Sequence, residues 1–115
     1  MQIANIFSEI PNDLTTEIFE PLYKQLFCAN VHIERIISYG QASAEDQWYD
    51  QIQAEWVLLL QGQARLELAD PHQTIALHVG DYVFIPPHQR HRVSWTDPSQ
   101  PTIWLAIHLY ECHHE

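Results

Sequence analysis

The pattern of hydrophobic positions changes near residue 30. Before that point a leucine or isoleucine recurs at every fourth position, which is the spacing of one face of an α-helix (Leu14, Ile18, Leu22, Leu26). Pro21 falls inside this segment and favours a short helix or two half-helices, because proline lacks a backbone N–H. The pattern therefore predicts a short N-terminal helical segment within an arm that covers residues 1–30.

From residue 31 onward the chain consists of short runs of β-branched, aromatic and leucine residues, separated by turn residues. The runs are Val31–Tyr39, Glu55–Leu60, Ala64–Leu68, Thr74–Val79, Tyr82–Ile85, Arg92–Trp95 and Ile103–Tyr110. In the third run apolar and charged residues alternate, as in a strand with one face in the core and one in water. Short strands at such close spacing predict an all-β antiparallel barrel or sandwich.

Length and charge restrict the possible classes of protein. A chain of 115 residues, 46% of them hydrophobic, is long enough for one core and too short for two domains with separate cores. Five basic residues against fifteen acidic ones give a formal net charge of -10, which repels phosphate groups. We therefore expect no binding to nucleic acid or to an anionic membrane surface.

The sequence also indicates where the protein resides. It contains no apolar run long enough to span a bilayer, and its first residues lack the basic region of a signal peptide. Cys28 and Cys112 lie near opposite ends of the chain, which suits neither a metal clip nor a dense disulfide framework. We expect reduced thiols and a cytoplasmic protein.

Two blocks of sequence carry a family resemblance. The stretch EWVLLLQG, residues 55–62, and the stretch GDYVFIPPHQRH, residues 80–91, resemble the two signature blocks of the cupin family. Cupins are small antiparallel β-barrels, also described as a double-stranded β-helix or jelly roll, that commonly hold one metal ion. The resemblance spans about Val31–Tyr110 and implies a cupin domain over residues 31–112. Because cupins include oxygenases, isomerases, binding domains and inactive storage proteins, it does not select a reaction.

The resemblance implies two metal ligands. Glu55 of the first block and His91 of the second correspond to positions that bind the metal in this family. A carboxylate oxygen and an imidazole nitrogen are suitable ligands for Mn, Fe, Ni or Zn. Two ligands are too few for firm binding, so a divalent metal in this chain requires further donors.

The family's first block usually opens with a His-x-His pair, which this chain lacks. Depending on the register, the corresponding positions are Tyr49 and Gln51 or Trp48 and Asp50. Strand alternation places Gln51 on the same face as Glu55 and favours the first register. Asp50 would instead supply a carboxylate suited to Mn or Fe. Both remain candidate ligands.

Four further residues are candidates for a ligand pocket. His88 stands where the family usually has glycine, and it is either an exposed loop residue or a pocket residue. His108 in the last strand is either a hydrogen-bonded core histidine or part of the site. Simple alternation puts Trp95 on the same strand face as His91. Tyr49 is expected near the mouth of the barrel, where its phenol could donate a hydrogen bond to a ligand.

Three functions are compatible with these features. The first is a metal-binding cupin with open coordination positions, of the oxygenase or isomerase type if it is an enzyme. The second is a metal-free barrel that binds or senses a small molecule, and the third is a non-catalytic structural or interaction module. The apolar residues that alternate with Glu55, namely Trp56, Leu58 and Leu60, would leave an exposed patch, so we also expect a homodimer.

Overall fold

In a computed structural model of the protein, the described residues are 5–12, 15–23 and 31–110. Eight β-strands and no helix occur in them: β1 (Ile18–Tyr23), β2 (Val31–Ser38), β3 (Ala54–Gln61), β4 (Ala64–Leu68), β5 (Gln73–Leu77), β6 (Tyr82–Ile85), β7 (His91–Thr96) and β8 (Thr102–Leu109). Cys28 and Cys112 lie outside the described ranges. No described helix is long and apolar enough to cross a membrane.

The strands form two antiparallel sheets rather than one closed barrel. The larger sheet has the order β1-β2-β8-β3-β6, and the smaller has the order β5-β4-β7. The all-β prediction is therefore confirmed and is consistent with a cupin jelly roll. The closed barrel is not found in the described residues, because no continuous ladder of strand pairing joins the two sheets. Sequence alternation predicts strands and their faces, but it does not predict whether two sheets close along their edges.

The predicted N-terminal helix is wrong where the structure can test it. Residues Ile18–Tyr23 form the edge strand β1, which pairs with β2 and places Glu20 opposite Arg35. Proline is tolerated in an edge strand because one row of N–H groups there has no partner strand, and the register shifts between Pro21 and Tyr23. Pairing with β2 thus overrides the fourfold spacing. Leu14 and Leu26, the first and last positions of the fourfold spacing, lie outside the described ranges.

Arg35 ties the N-terminal segment to the sheet. Its guanidinium group donates hydrogen bonds to the carbonyl oxygens of Ile6 (2.9 Å) and Ser8 (2.8 Å) and to the Glu20 carboxylate (2.5 Å). Arg35 is buried, and these acceptors compensate much of the cost of removing its charge from water. The residue is therefore an ion-paired structural arginine, and it does not line the cavity described below.

The hydrophobic core lies between the two sheets. Both sheets contribute buried side chains to one cluster: Val57, Leu59, Ala64, Leu66, Leu77, Ile85, Trp104 and Ala106. In β3 the buried positions alternate with the half-buried Trp56 and Leu58, as the sequence predicts. The core fills one part of the space between the sheets and leaves the rest to the candidate site.

Two glycines provide a matched test of the fold. Gly62 and Gly80 both have positive φ angles, 91° and 92°, which non-glycine residues adopt only with strain. A Cβ atom on Gly62 would lie 2.8 Å from the Cα of Thr102, whereas a Cβ on Gly80 would have no atom within 4 Å. We expect Gly80→Ala to lower the free energy of unfolding by about 1 kcal/mol and Gly62→Ala by a further ~1–3 kcal/mol, measured by urea denaturation. Equal losses would contradict the close approach of the β3–β4 turn to β8.

Candidate functional site

A cavity of about 580 Å³ opens between the two sheets. Its walls come from β1, β2, β3, β6 and β8 of the larger sheet on one side and from β4 and β7 of the smaller sheet on the other, and the loop over residues 41–51 lies along its rim. A cavity of this size is in the usual range for small-molecule sites. Glu34, Glu55, His91 and His108 supply polar groups to its lining, together with Gln51 of the rim loop.

Strand register brings three of these polar residues together. His108 of β8 lies directly opposite Glu55 of β3 and, on its other side, opposite His32 of β2. Directly opposed residues share a face of the sheet, and so do residues two apart along a strand, which places Glu34 on the face of His32. The carboxylates of Glu34 and Glu55 therefore flank the His108 imidazole.

His108 and Glu34 form a buried ion pair. The Nε2–H of His108 donates a hydrogen bond of 2.8 Å to Glu34 Oε1, and the Nε2 of His32 lies 3.3 Å from Glu34 Oε2. The hydrogen bond from His108 lowers the pKa of Glu34. The same bond raises the pKa of His108 against the opposing effect of burial, and the charge of Glu55 adds to the rise. Each partner thus stabilises the charged form of the other.

Glu55 and His91 face each other across the cavity. Glu55 Oε2 is 3.7 Å from His91 Nε2, and Glu55 is only 8% exposed. The Nδ1 of His91 lies 2.8 Å from the carbonyl oxygen of Gln89, which can only accept a hydrogen bond, so Nδ1 carries a proton. Burial raises the pKa of Glu55, and the nearby His108 and His91 lower it by a smaller amount. A carboxyl group with a raised pKa beside imidazoles is suited to proton transfer near neutral pH.

The rim loop is fastened to β7 next to His91. Tyr49 and His91 exchange backbone hydrogen bonds of 2.7 and 3.1 Å, and their rings lie 5.5 Å apart in a stacked arrangement. Burial, with the charges of Glu17 and Glu55, raises the pKa of the Tyr49 phenol. The Ser43 N–H donates to the carbonyl oxygen of Val93 at 2.8 Å. These bonds hold Tyr49 at the mouth of the cavity, and its raised pKa keeps the phenol protonated at neutral pH.

The structure distinguishes the two candidate registers of the missing His-x-His pair. Tyr49 and Gln51 both line the cavity, as does Trp48. Asp50 does not line it, because its Oδ1 is 2.8 Å from Nδ1 of His88 in an exposed pair outside the cavity. Position 50 is therefore not placed to contribute a ligand alongside Glu55.

His88 also lies outside the cavity. Its φ angle is +61°, in the left-handed region that favours glycine. Glycine, which the cupin pattern has at this position, would adopt this conformation without strain. The side chain of His88 is exposed, in agreement with the alternative of a loop residue.

Trp95 lies on the opposite face of β7 from the one that simple alternation predicts. Leu66 of β4 is paired with Val93, but the adjacent Arg65 is paired with Trp95, which leaves Ser94 as an extra residue in β7. This β-bulge reverses the alternation beyond Val93. The Cζ atom of Arg65 therefore lies over the Trp95 ring, 5.1 Å from the ring centroid. Trp95 does not line the cavity.

Sequence reasoning did not identify several cavity residues, among them the acidic residues Glu34 and Glu17. Glu34 could have been found because it stands two residues after His32, so that both polar side chains lie on one face of β2. Glu17 is the last member of a chain of two hydrogen bonds. Trp104 Nε1 donates to Ser38 Oγ (3.2 Å), and the Ser38 hydroxyl donates to the Glu17 carboxylate. Burial raises the pKa of Glu17. No signal around residue 17 indicates this tertiary contact.

Comparison with known proteins shows the family. The family model described as a cupin domain matches residues 36–108, and the chain belongs to the cupin family. A search of curated proteins finds no match.

Solved structures show the same fold. A candidate mannose-6-phosphate isomerase of Ralstonia eutropha JMP134 is 40% identical, with a TM-score of 0.87 over 96% of this chain and 100% of that chain. A cupin superfamily protein of Desulfitobacterium hafniense DCB-2 is 20% identical, with a TM-score of 0.71 over 89% and 84% of the two chains. The hydroxypropylphosphonic acid epoxidase of S. wedmorenis is 12% identical, with a TM-score of 0.68 over 81% of this chain and 50% of that chain. The last two likenesses concern the fold alone.

The metal that the family commonly holds does not fit the side chains of this site. Firm binding of a divalent transition metal takes three or more converging donors. Within residues 5–12, 15–23 and 31–110, no group of three His, Cys, Asp or Glu side chains is placed to hold one. Glu55 and His91 remain as a pair, the Nε2 of His108 is bonded to Glu34, and Gln51 offers only a neutral amide.

The His108–Glu34 pair makes stability depend on pH. Because its folded pKa is raised above 6.5, His108 contributes stability that is fully present below pH 6.5 and is lost as the pH rises through the raised value. Because its folded pKa is lowered below 4.5, Glu34 contributes stability that is present above pH 4.5 and is lost as the pH falls through the lowered value. The pair is therefore strongest between these two limits.

We expect His108→Gln to lower the free energy of unfolding by about 1–3 kcal/mol between pH 4.5 and 6.5, and by less at more alkaline pH. The matched control is His88→Gln, which removes an exposed histidine from an exposed ion pair. Urea denaturation at a series of pH values measures both. A loss for His108→Gln that does not vary with pH would show that the ion pair is not responsible.

Proposed function

We propose that this cupin binds a small molecule in the cavity between its sheets without the help of a metal ion. The observation that carries the proposal is the placement of Glu55, His91 and His108, three buried polar side chains that line one open cavity of about 580 Å³. Burying such groups is costly unless they have partners. His108 has Glu34 as a partner, whereas Glu55 and His91 have polar atoms that remain available to a ligand.

The protonation of His91 supports a direct role in binding. Since Nδ1 donates its proton to the Gln89 carbonyl, Nε2 is the ring nitrogen directed at Glu55 and the cavity, and it accepts a hydrogen bond from a ligand in the neutral form of the ring. Glu55 offers carboxyl oxygens 3.7 Å away, and the Tyr49 phenol offers a donor at the rim. Convergent groups of this kind orient a small polar ligand.

Two measurements test the proposal together. Elemental analysis of the protein as isolated, and after dialysis against Mn, Fe, Ni and Zn, should find well below one equivalent of metal. In ¹⁵N NMR spectra, a screen of small polar fragments should find ligands that cause saturable shifts at cavity residues. We expect His91→Gln to weaken such binding by about tenfold, through the loss of one buried hydrogen bond, and His88→Gln to leave it unchanged. Stoichiometric metal that is lost in the His91 variant would overturn the proposal.

We also propose that a second copy of the chain covers the outer face of the larger sheet. Trp56 and Leu58 of β3 lie opposite Phe84 and Tyr82 of β6 on this face, and the rings of Trp56 and Tyr82 are 5.4 Å apart. Phe84 is 57% exposed. Contiguous apolar side chains on a regular sheet are typical of an interface between identical subunits.

The dimer can be tested by placing a charge in this face. We expect the native protein to sediment as a dimer and Phe84→Glu to sediment as a monomer, because a buried unpaired carboxylate is costly at an interface. Ile52→Glu is the matched control, since Ile52 is 73% exposed and lies in the loop before β3. Analytical ultracentrifugation measures both variants. A monomeric native protein at micromolar concentration would refute the dimer.

A further inference from the structure

Apart from two histidines, all ionisable side chains that line the cavity and carry charge at neutral pH are acidic. Glu17, Glu34, Asp46 and Glu55 line it, and among the described residues no lysine or arginine does. Glu34 is neutralised by its ion pair with His108. The remaining three carboxylates have no cationic partner of comparable strength in the cavity wall, so the enclosed space favours positive charge.

The described arginines are all committed elsewhere. Arg35 is bonded to Glu20 in the outer layer, and Arg65 stacks over Trp95 on the outer face of the smaller sheet. Arg92 is bonded to Glu67 at 2.9 Å, and Arg90 is 3.7 Å from Asp70. Arg90 and Arg92 also contact the Trp48 ring, at 5.3 and 5.8 Å from its centroid, and their charges are offset by these partners.

Glu55 supplies independent evidence for a cationic ligand. The residue is 8% exposed and its side chain 11% exposed, it lines the cavity, and no described residue donates a hydrogen bond to its carboxylate. Its nearest ionisable partner is the His91 imidazole at 3.7 Å, beyond hydrogen-bonding distance. A buried carboxylate without a donor is costly, and a positively charged donor in the cavity would remove that cost.

Aromatic side chains stand beside the carboxylates. Phe19 and Tyr49 line the cavity and keep 52% and 45% of their surface exposed, so part of each ring is open to a ligand. The face of an aromatic ring attracts a cation within about 6 Å of its centroid. Aromatic rings combined with carboxylates are the recognition elements for an ammonium group.

We propose that the cavity binds a small organic cation, whose ammonium group lies among Glu17, Asp46 and Glu55 and against the rings of Phe19 and Tyr49. This inference rests on the proposed function and names the class of its ligand. An organic cation needs no converging set of metal donors, which agrees with the arrangement of the described side chains.

The same geometry argues against a sugar phosphate. A phosphate monoester carries close to two negative charges at neutral pH, and proteins bind it through arginine, lysine or helix N-termini. The cavity lining has no described lysine or arginine, and the described residues form no helix. We therefore do not expect this chain to share the substrate in the name of its relative from Ralstonia eutropha.

Matched probes of different charge test the inference. Choline and its uncharged isostere 3,3-dimethylbutan-1-ol have nearly the same shape, and mannosamine, mannose and mannose 6-phosphate share one ring. Titration followed by ¹⁵N NMR and calorimetry should show saturable binding of choline and mannosamine at cavity residues. We expect at least about fivefold weaker binding of each uncharged analogue, no binding of mannose 6-phosphate, and weaker cation binding at high salt.

Two neighbouring carboxylates provide the control. Both residues are exposed, but Asp46 lines the cavity and the adjacent Glu45 does not. We expect Asp46→Asn to weaken choline binding by about fivefold and Glu45→Gln, which removes the same net charge, to leave it unchanged. Glu17→Gln should act like Asp46→Asn while keeping an acceptor for the Ser38 hydroxyl.

Several results would overturn the inference. Equal affinity for choline and its uncharged isostere, tighter binding of mannose 6-phosphate, or equal effects of the Asp46 and Glu45 variants would each do so. Stoichiometric binding of Mn²⁺ that excludes choline would show that the acidic residues bind a metal ion and not an organic cation. If uncharged or anionic fragments bind and cations do not, only this inference fails. If no probe of any charge binds, the proposed function fails with it.

Discussion

The structure depends on the alignment of β8 between β2 and β3. This register places His108 opposite both His32 and Glu55, so that an imidazole lies between the carboxylates of Glu34 and Glu55 on the inner face of the sheet. A slip of one residue would turn these groups outward and bring the alternate apolar side chains into the cavity. The same alignment puts Trp104 and Ala106 into the core. One set of backbone pairings therefore fixes the core and the polar wall of the site together.

Most polar groups of the cavity wall are stabilised by hydrogen bonds to one another, and Glu55 is the exception. His108 and Glu34 are mutually bonded, and Ser38 and Trp104 supply hydrogen bonds along the chain that ends at Glu17. Glu55 has no hydrogen-bond donor among the described residues while it faces the cavity, so a ligand that supplies a donor there would offset part of its desolvation cost. A buried carboxylate without a hydrogen-bond donor is unfavourable in a hydrophobic core. The proposal of a ligand therefore rests on the cavity and Glu55, and not on the family resemblance.

Sequence reasoning succeeded where local pattern controls structure and failed where tertiary pairing does. All seven predicted strands occur, with bounds shifted by two residues or fewer, because alternation and turn residues act locally. The N-terminal helix was wrong because pairing with β2 outweighs a fourfold spacing. Trp95 was assigned to the wrong face because one extra residue, Ser94, interrupts the alternation. Glu17 carries no local signal at all.

The sequence alone predicted the all-β fold from short-range patterns, and the resemblance of two blocks to the cupin family implied the family and the importance of Glu55 and His91. The tertiary structure decided which other side chains join them. It brought in Glu34 and Glu17, moved Asp50, His88 and Trp95 out, and left no described arginine in the lining. The physical reason is that a face of a sheet is set by register and bulges, which couple residues far apart in the chain.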